Sequence, residues 1–462
     1  MRNPADRPNI ILINCDDLGY GDLGCYGSTA NHTPALDRMA AEGTMFSDFY
    51  MASPICSPSR GAMMTGCYPP RISFDTFHPH CGVLFPGSPD GLHEDEITIA
   101  DILRGQGYAT KLVGKWHCGD QPEFLPTNHG FDSYFGLPYS NDMGRQINNP
   151  NRPPLPLLRD ERVIQEQPDM GGLTERYAEE SVRFLRENRD SPFFLYLAHM
   201  HVHVPHIVAE AFMRRTTNGR YGGAVSAIDW SVEVLLNELK SLGIDENTLM
   251  VFTSDNGSRA RAEGGSNAPL NGTKATTWEG GLRVPCIARW PGKVPAGRTS
   301  SELITSMEFL PSFARLAGTT EPQDRTIDGC DISSLLLGES GATSPRDTFF
   351  YYHGSNLDAV RRGPWKLFVR RNGAAEMPEN GELYNLDDDI GETTNVAEQN
   401  AEIVRELKQL LAECRRDMGD EATGVEGENR RPAGWVDNPK PLTEYKPDHP
   451  YIVALYDTTM CG

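Results

Sequence analysis

Hydrophobic residues in this chain gather into short continuous runs, each ending abruptly in polar ones. The run at 8–14 stops at Cys15-Asp16-Asp17, and that at 109–113 stops at Gly114-Lys115-Trp116-His117. The run at 191–198 exits into His199-Met200-His201-Val202-His203, and that at 248–254 into Asp255-Asn256-Gly257. Runs without alternation predict strands buried on both faces, the pattern of a parallel sheet. Helix patterns lie between them at 33–43, 95–108, 174–188 and 220–242, several closed by a glycine. Strands alternating with helices predict an α/β fold with a large, mostly parallel central sheet, whose ligands bind beyond the carboxyl ends of the strands. A further strand is expected at 46–51, and 148–168, polar and rich in proline, reads as an exposed loop on the substrate side.

Beyond the Gly/Ser-rich stretch 338–345 the character changes. Short alternating strands are expected at 348–353, 357–361, 364–369 and 382–385, then a helix at 402–418 and a polar tail over 419–462 that wraps the surface. Two units follow, a large domain over 1–345 and a small C-terminal subdomain with its tail over 346–462.

Composition narrows the partners. Asp plus Glu number 64 against 43 Lys plus Arg, a net charge of −21, which argues against nucleic acid or an anionic membrane as the main partner. No apolar run is long enough to span a membrane. The first eight residues lack the apolar core of a secretion signal, so the chain is expected to be cytoplasmic or to have lost a signal. The ten cysteines form no CxxC pair, so no zinc ribbon or thioredoxin-like motif is written, and disulfides stay open.

The chemistry-bearing residues sit at the run ends. Asp16 and Asp17 after one strand, and Asp255 and Asn256 after another, offer oxygen ligands for a hard divalent cation. Lys115 and His117 can bind an anion and pass a proton. Four histidines, His199, His201, His203 and His206, also invite a zinc reading, although no carboxylate or cysteine follows at the usual spacing. Cys56 lies between Pro54 and Pro58, which predicts a turn, with a short buried helix from Ser59 to the stop at Gly66 and an anion-favouring N-terminus near Ser57 to Ser59. If Cys56 joins the carboxylates on one hard cation, a soft thiolate is out of place. An oxygen-bearing derivative at 56 resolves that mismatch.

The pattern Cys56-Ser57-Pro58-Ser59-Arg60 resembles the signature of the type I sulfatases, and Gly114-Lys115-Trp116-His117 resembles their second signature. The stretch 131–144 is similar to a segment of arylsulfatase A-like enzymes in which a serine, here Ser140, lies near the sulfate. The His-x-Pro at His203-Val204-Pro205 and the segment around Lys274 are similar to further sulfate-contacting motifs. The resemblance covers about residues 8 to 415, lies nearest the arylsulfatase A and N-acetylgalactosamine-6-sulfatase-like enzymes, and implies an alkaline-phosphatase-like sandwich with a small C-terminal antiparallel sheet and helix.

It further implies that Cys56 is converted to formylglycine by a maturation enzyme. One calcium ion, with magnesium the second choice, would sit on Asp16, Asp17, residue 56, Asp255 and Asn256. A hydroxyl of the aldehyde hydrate would attack sulfur with Asp255 as base, Arg60, Lys115, Lys274 and His203 would neutralise the sulfuryl oxygens, and a histidine would protonate the leaving alcohol. The expected activity is hydrolysis of a sulfate monoester on a carbohydrate or an aryl group, in a periplasmic or secreted setting. Two other readings stand beside it: a formylglycine phosphodiesterase or phosphonate monoester hydrolase, and a non-catalytic sulfated-glycan-binding relative. The alcohol half of the substrate, set by loops such as 71–93 and 144–170, has no sequence code.

Overall fold

The computed structural model describes residues 7–260, 263–372 and 377–448. A ten-stranded sheet forms its middle. In chain order the strands are β1 (Asn9–Cys15), β2 (Thr44–Phe46), β3 (Ala109–Lys115), β4 (Ser133–Leu137), β5 (Pro156–Arg159), β6 (Arg162–Glu166), β7 (Phe193–Ala198), β8 (Thr248–Ser254), β9 (Cys286–Arg289) and β10 (Arg298–Ser300). Their spatial order is β10-β2-β9-β8-β1-β7-β3-β4-β5-β6. The five strands β8, β1, β7, β3 and β4 run parallel, and antiparallel pairs extend the sheet on both sides.

Strand pleating explains why the central runs are apolar throughout. Ile10 and Leu12 enter one core with the helices α2 (Cys56–Thr65), α3 (Ile99–Gly105) and α6 (Phe309–Leu316). Ile11 and Ile13 enter the other, with α1 (Pro34–Ala41), α4 (Leu173–Glu187) and α5 (Gly219–Leu242). Register then does the positioning. Cys15 pairs with Ser254, Asn14 with Ala198, and Gly114 with Ala198, so the polar tails of β1, β8, β7 and β3 leave the sheet at one edge.

Gly114 is needed for that convergence. Its φ of 113° is one that L side chains avoid, and a Cβ there would lie 1.8 Å from the carbonyl oxygen of Ala198. Gly114→Ala is expected to cost about 3 kcal/mol or more, read as a shifted urea midpoint, because neither the strained dihedral nor the clash with main chain can relax locally.

A second, four-stranded antiparallel sheet comprises β11 (Thr348–His353), β12 (Asn356–Arg362), β13 (Trp365–Phe368) and β14 (Glu382–Asn385), in sequential order. The helix α7 (Ala401–Met418) backs it, and Leu407 and Leu411 share a core there with Tyr50, Tyr68 and Leu282 of the large body. The tail follows the surface through 448: Gly434–Trp435 pairs with Asp90–Gly91, and Thr443 donates to the carbonyl of Pro154. The remainder of the tail lies outside the described residues. Among them, no helix is long and apolar enough to cross a membrane. The nine cysteines among them are unpaired.

Four local expectations are corrected. The strand expected at 46–51 is split into Thr44–Phe46 and Phe49–Tyr50, because Asp48 between them turns to ion pairs with Arg283 and Arg361, both at 2.9 Å. The helix expected over 95–108 is only Ile99–Gly105, since Thr98 and Asp101 close a capping box that sets its start. Within the loop expected at 148–168 lies the β5–β6 hairpin, whose Leu157 and Leu158 each enter a core. Cys56 does not sit on a turn. It is the first residue of α2, and Pro58 fits inside the first turn, where its missing amide would have no intrahelical partner.

Candidate active site

The edge where the strand tails converge is fully buried at its base. Asp16, Asp255 and Asn256 have no exposure, and Asp17 has 3%. The side-chain amide of Asn256 donates to Oδ1 of Asp17 at 2.7 Å, and the Asp17 amide donates to Oδ1 of Asp255 at 3.2 Å. Asp17 (φ 64°), His117 (φ 62°) and Ala275 (φ 63°) are left-handed without being glycine, the kind of backbone strain that concentrates where side chains must be aimed.

Three cations answer these three carboxylates. Nζ of Lys115 lies 2.5 Å from Oδ2 of Asp16, and Nζ of Lys274 lies 2.7 Å from Oδ1 of Asp17. Arg60, one helical turn beyond Cys56, places Nε and Nη2 each 2.8 Å from Oδ2 of Asp255 and donates from Nη1 to the carbonyl of Lys115 at 2.8 Å. Burial alone would raise the carboxyl of Asp16. Lys115, His203, Arg60 and Lys274 together outweigh it and hold that group well below the usual carboxylate range. Asp255 moves the other way, raised by burial and then by the charge of Asp16. For Lys115 the pull of Asp16 outweighs burial, so the ammonium keeps its proton.

Cys56 opens α2 with its side chain beside this cluster and the positive end of the helix behind it. One atom each from Asp16, Asp17, Cys56 and His203 lie within 4.8 Å of one another. Burial pushes the thiol up to about 11 against the pull of Lys115 and Lys274, so an unmodified Cys56 stays neutral. His203 donates from Nδ1 to the carbonyl of Val204 at 2.7 Å, which leaves Nε2 facing Oδ2 of Asp17 at 3.8 Å. Ser140 is 3.4 Å from the same Nδ1 and accepts from Lys115 at 3.3 Å. Nε2 of His117 donates to the carbonyl of Leu84 at 3.0 Å, and its buried Nδ1 has no partner among the described residues. Burial and then Lys115 hold the His117 ring well below its usual pKa, so it is neutral and can accept a proton at Nδ1.

The donor set fits a hard divalent cation. Oδ1 of Asp16 and Oδ1 of Asn256 are buried without a hydrogen-bond partner among the described residues, and both groups neighbour the carboxylate of Asp17. A neutral thiol at 56 is the one mismatched donor, and an aldehyde hydrate in its place would supply oxygen. The other histidines do not assemble a zinc site. β7 ends at Ala198, so 199–206 is no longer an alternating strand; Nε2 of His199 bonds Ser231 at 2.9 Å, and Nε2 of His206 bonds the carbonyl of Val202 at 2.8 Å.

A cavity of about 410 Å³ opens over Cys56, His117, Ser140, His203 and Lys274. Arg60 is not among its lining residues. Its guanidinium lies against Asp255 and the carbonyl of Lys115, and Lys115 too lies behind the lining residues. The outer walls are Ile55, Val83, Phe85 and Met143 with Asp142 and Arg152. Val83, Phe85 and Arg152 carry no local signal, because each stands on a loop outside the motif stretches.

Fold and site define an enzyme of the α/β class with the alkaline-phosphatase-like architecture. Residues 8–319 match the family model described as Sulfatase, and 273–417 match the C-terminal model of N-sulphoglucosamine sulphohydrolase. The chain belongs to the sulfatase family and is a sulfatase, an enzyme acting on sulfate esters. It is 39% identical over 431 residues to N-acetylgalactosamine-6-sulfatase of Canis lupus familiaris, a match covering 89% of this chain and 81% of that protein. It is 38% identical to arylsulfatase A of Homo sapiens, covering 88% and 87%. Among solved structures it is similar to a sulfatase from Pseudoalteromonas sp., with a TM-score of 0.81, 26% identity and 93% of each chain covered. A complex described as Ps i-CgsB with k-i-k-neocarrahexaose has a TM-score of 0.77 at 30% identity, covering 92% and 94%. A phosphonate monoester hydrolase of Agrobacterium radiobacter, 20% identical with a TM-score of 0.64, shares the fold alone.

Proposed function

We propose that the enzyme hydrolyses a sulfate monoester of a carbohydrate, with aryl sulfates as simpler substrates, using Cys56 matured to formylglycine and one bound calcium or, second, magnesium ion. The observation that carries this reading is the buried meeting of Asp16, Asp17, Cys56 and His203 with Lys115 and Lys274, of which Cys56, His203 and Lys274 line one cavity. Asp16, Asp17, Asp255 and Asn256 would hold the cation, which when bound supplies Lewis-acid polarisation of the sulfate. Formylglycine at 56, made by a maturation enzyme, would supply an oxygen nucleophile from its hydrate where a neutral thiol offers none.

The chain's own groups have distinct tasks. Lys115 and Lys274 pair with the neighbouring Asp16 and Asp17 and would share the sulfuryl oxygens, so charge building there meets preorganised ammonium groups. Arg60 holds Asp255 in place from behind. His203, fixed through Nδ1, would in its doubly protonated form donate a proton from Nε2 to the departing alcohol and return to the neutral ring with its proton on Nδ1, and neutral His117 presents Nδ1 as an acceptor. Ser140 links Lys115 to His203. The apolar wall of Ile55, Val83 and Met143, with Phe85 44% exposed, suits the flat face of a ring, and Arg152 adds a cation near the alcohol half. On this reading 1–345 is the catalytic unit and 346–462 its smaller companion.

Matured protein tested on sulfated mono- and disaccharides, 4-nitrophenyl sulfate and a matched aryl phosphodiester is expected to turn over the sulfates best. Prior removal of divalent cations should abolish that turnover and calcium should restore it. Preference for the phosphodiester, or full activity after chelation, would overturn the reading.

A further inference from the structure

We infer that Lys366, in the small C-terminal sheet, is a positioning residue for Lys274, so that this sheet works as a clamp on the substrate pocket. The inference rests on the reading of Lys274 as a sulfate-contacting group. Lys274 stands on a loop between the end of β8 and β9, and two main-chain bonds hold that loop from the pocket side: Lys274 N to Ser258 O at 3.0 Å and Ala275 N to Pro54 O at 2.9 Å. The second ties it to the segment that leads into Cys56. From Thr277 onward the small sheet adds anchors of its own, beside the bonds Glu279 makes to Tyr50 and Arg283 of the large body.

Nζ of Lys366, on β13, donates to the carbonyl of Thr277 at 2.9 Å and pairs with Glu279 at 3.0 Å and Glu392 at 2.7 Å. Glu392 accepts the amide of Glu279 at 2.8 Å. The Thr277 hydroxyl donates to Asp358 of β12 at 2.8 Å, its amide donates to Asn372 at 3.1 Å, and Tyr351 of β11 donates to Glu279 at 2.8 Å. Lys366, Glu279, Thr277 and Asp358 have no exposure. Five groups from the second sheet and its connections thus converge on a three-residue stretch that begins three positions after Lys274.

Stability alone is a poor account of this cluster. A buried ion pair gives little net stabilisation over an apolar equivalent, because desolvation offsets attraction. What it does provide is direction: each bond has one geometry, and together they leave the loop one place to sit. Lys274 must hold an ammonium beside both Asp17 and the sulfuryl oxygens, where an error of about 1 Å can cost on the order of 10²-fold in rate.

The test is a double-mutant cycle in matured protein with 4-nitrophenyl sulfate, the folded fraction fixed by thermal unfolding, and inorganic sulfate affinity measured by calorimetry. Lys366→Met removes the hub, and Thr277→Val, which deletes only the hydroxyl bond to Asp358, is the variant that keeps the charges paired. Lys366→Met is expected to lower kcat per folded molecule by about 10²-fold and Thr277→Val by about fivefold, both weakening sulfate binding. In a Lys274→Ala background each should cost no more than about a further twofold, since a residue acting through Lys274 has nothing left to place. A purely structural role would lower the unfolding temperature while leaving kcat per folded molecule unchanged, or would add in full to Lys274→Ala; either overturns the inference. If Lys274→Ala itself leaves kcat untouched, the reading of Lys274 falls and takes the inference with it.

Discussion

Cys56→Ala is expected to abolish turnover, by about 10⁴-fold or more, while the protein still folds. A loss on that scale is what removal of a covalent nucleophile produces. The fold should survive because Cys56 is the first residue of α2, where alanine is a good helix former and no disulfide is lost. Filling of the small space left by Sγ, or its absence, should move stability by no more than about 1 kcal/mol. Cys56→Ser makes the comparison sharper. It puts one hydroxyl at the same place, whereas the aldehyde hydrate offers two, so it should be as inactive as the alanine variant. Activity of Cys56→Ala within a few-fold of the parent, measured on protein of equal folded fraction, would remove Cys56 from the mechanism.

Lys115→Ala and Lys274→Ala are each expected to lower kcat as well as kcat/KM, by about 10²-fold. Negative charge builds on the bridging oxygen as the sulfuryl group transfers, so cations held around it act more on the transition state than on the bound substrate. The two variants will differ in stability. Lys115 has no exposure and its loss leaves Asp16 buried without its closest cation, a change of the kind that costs about 3–5 kcal/mol. Lys274 keeps 13% of its side chain exposed, and Asp17 retains its bond from Asn256, so Lys274→Ala is the cleaner test of catalysis. Lys274→Arg should rescue poorly, because a planar fork does not fill the place of a compact ammonium between Asp17 and a substrate oxygen. A change in KM alone would reduce Lys274 to a binding group.

Much of this site was legible because parallel strands leave strong local marks. The runs ending at Cys15, Ser254 and Ala198 are apolar on both faces and stop where the chain meets the ligand edge, so Asp16, Asp17, Asp255 and Asn256 announce themselves by position, while His203 was picked from four histidines by resemblance. The motif residues Cys56, Lys115, His117 and Lys274 were likewise visible; Cys56, His117 and Lys274 line the cavity that contains Ser140, and Lys115 reaches it through Ser140 and Asp16. Arg60 was visible as a residue yet not as a partner. Its helix could be foreseen, but whether it faces the pocket or Asp255 depends on how α2 meets the end of β8.

What the amino-acid sequence by itself determined is the central strands and the longer helices, their buried faces, and the polar groups at the strand ends, because burial on a pleated strand or helical stripe is a property of neighbouring residues. Only the tertiary structure decided which of those ends meet. The order β8-β1-β7-β3 brings residues 16, 255, 203 and 115 to one edge, and the second sheet seats Lys366 under the loop of Lys274. Those juxtapositions join positions hundreds of residues apart or on unmarked loops such as those of Phe85 and Arg152. No local pattern encodes them, since they are set by strand order, register and the packing of three cores at once.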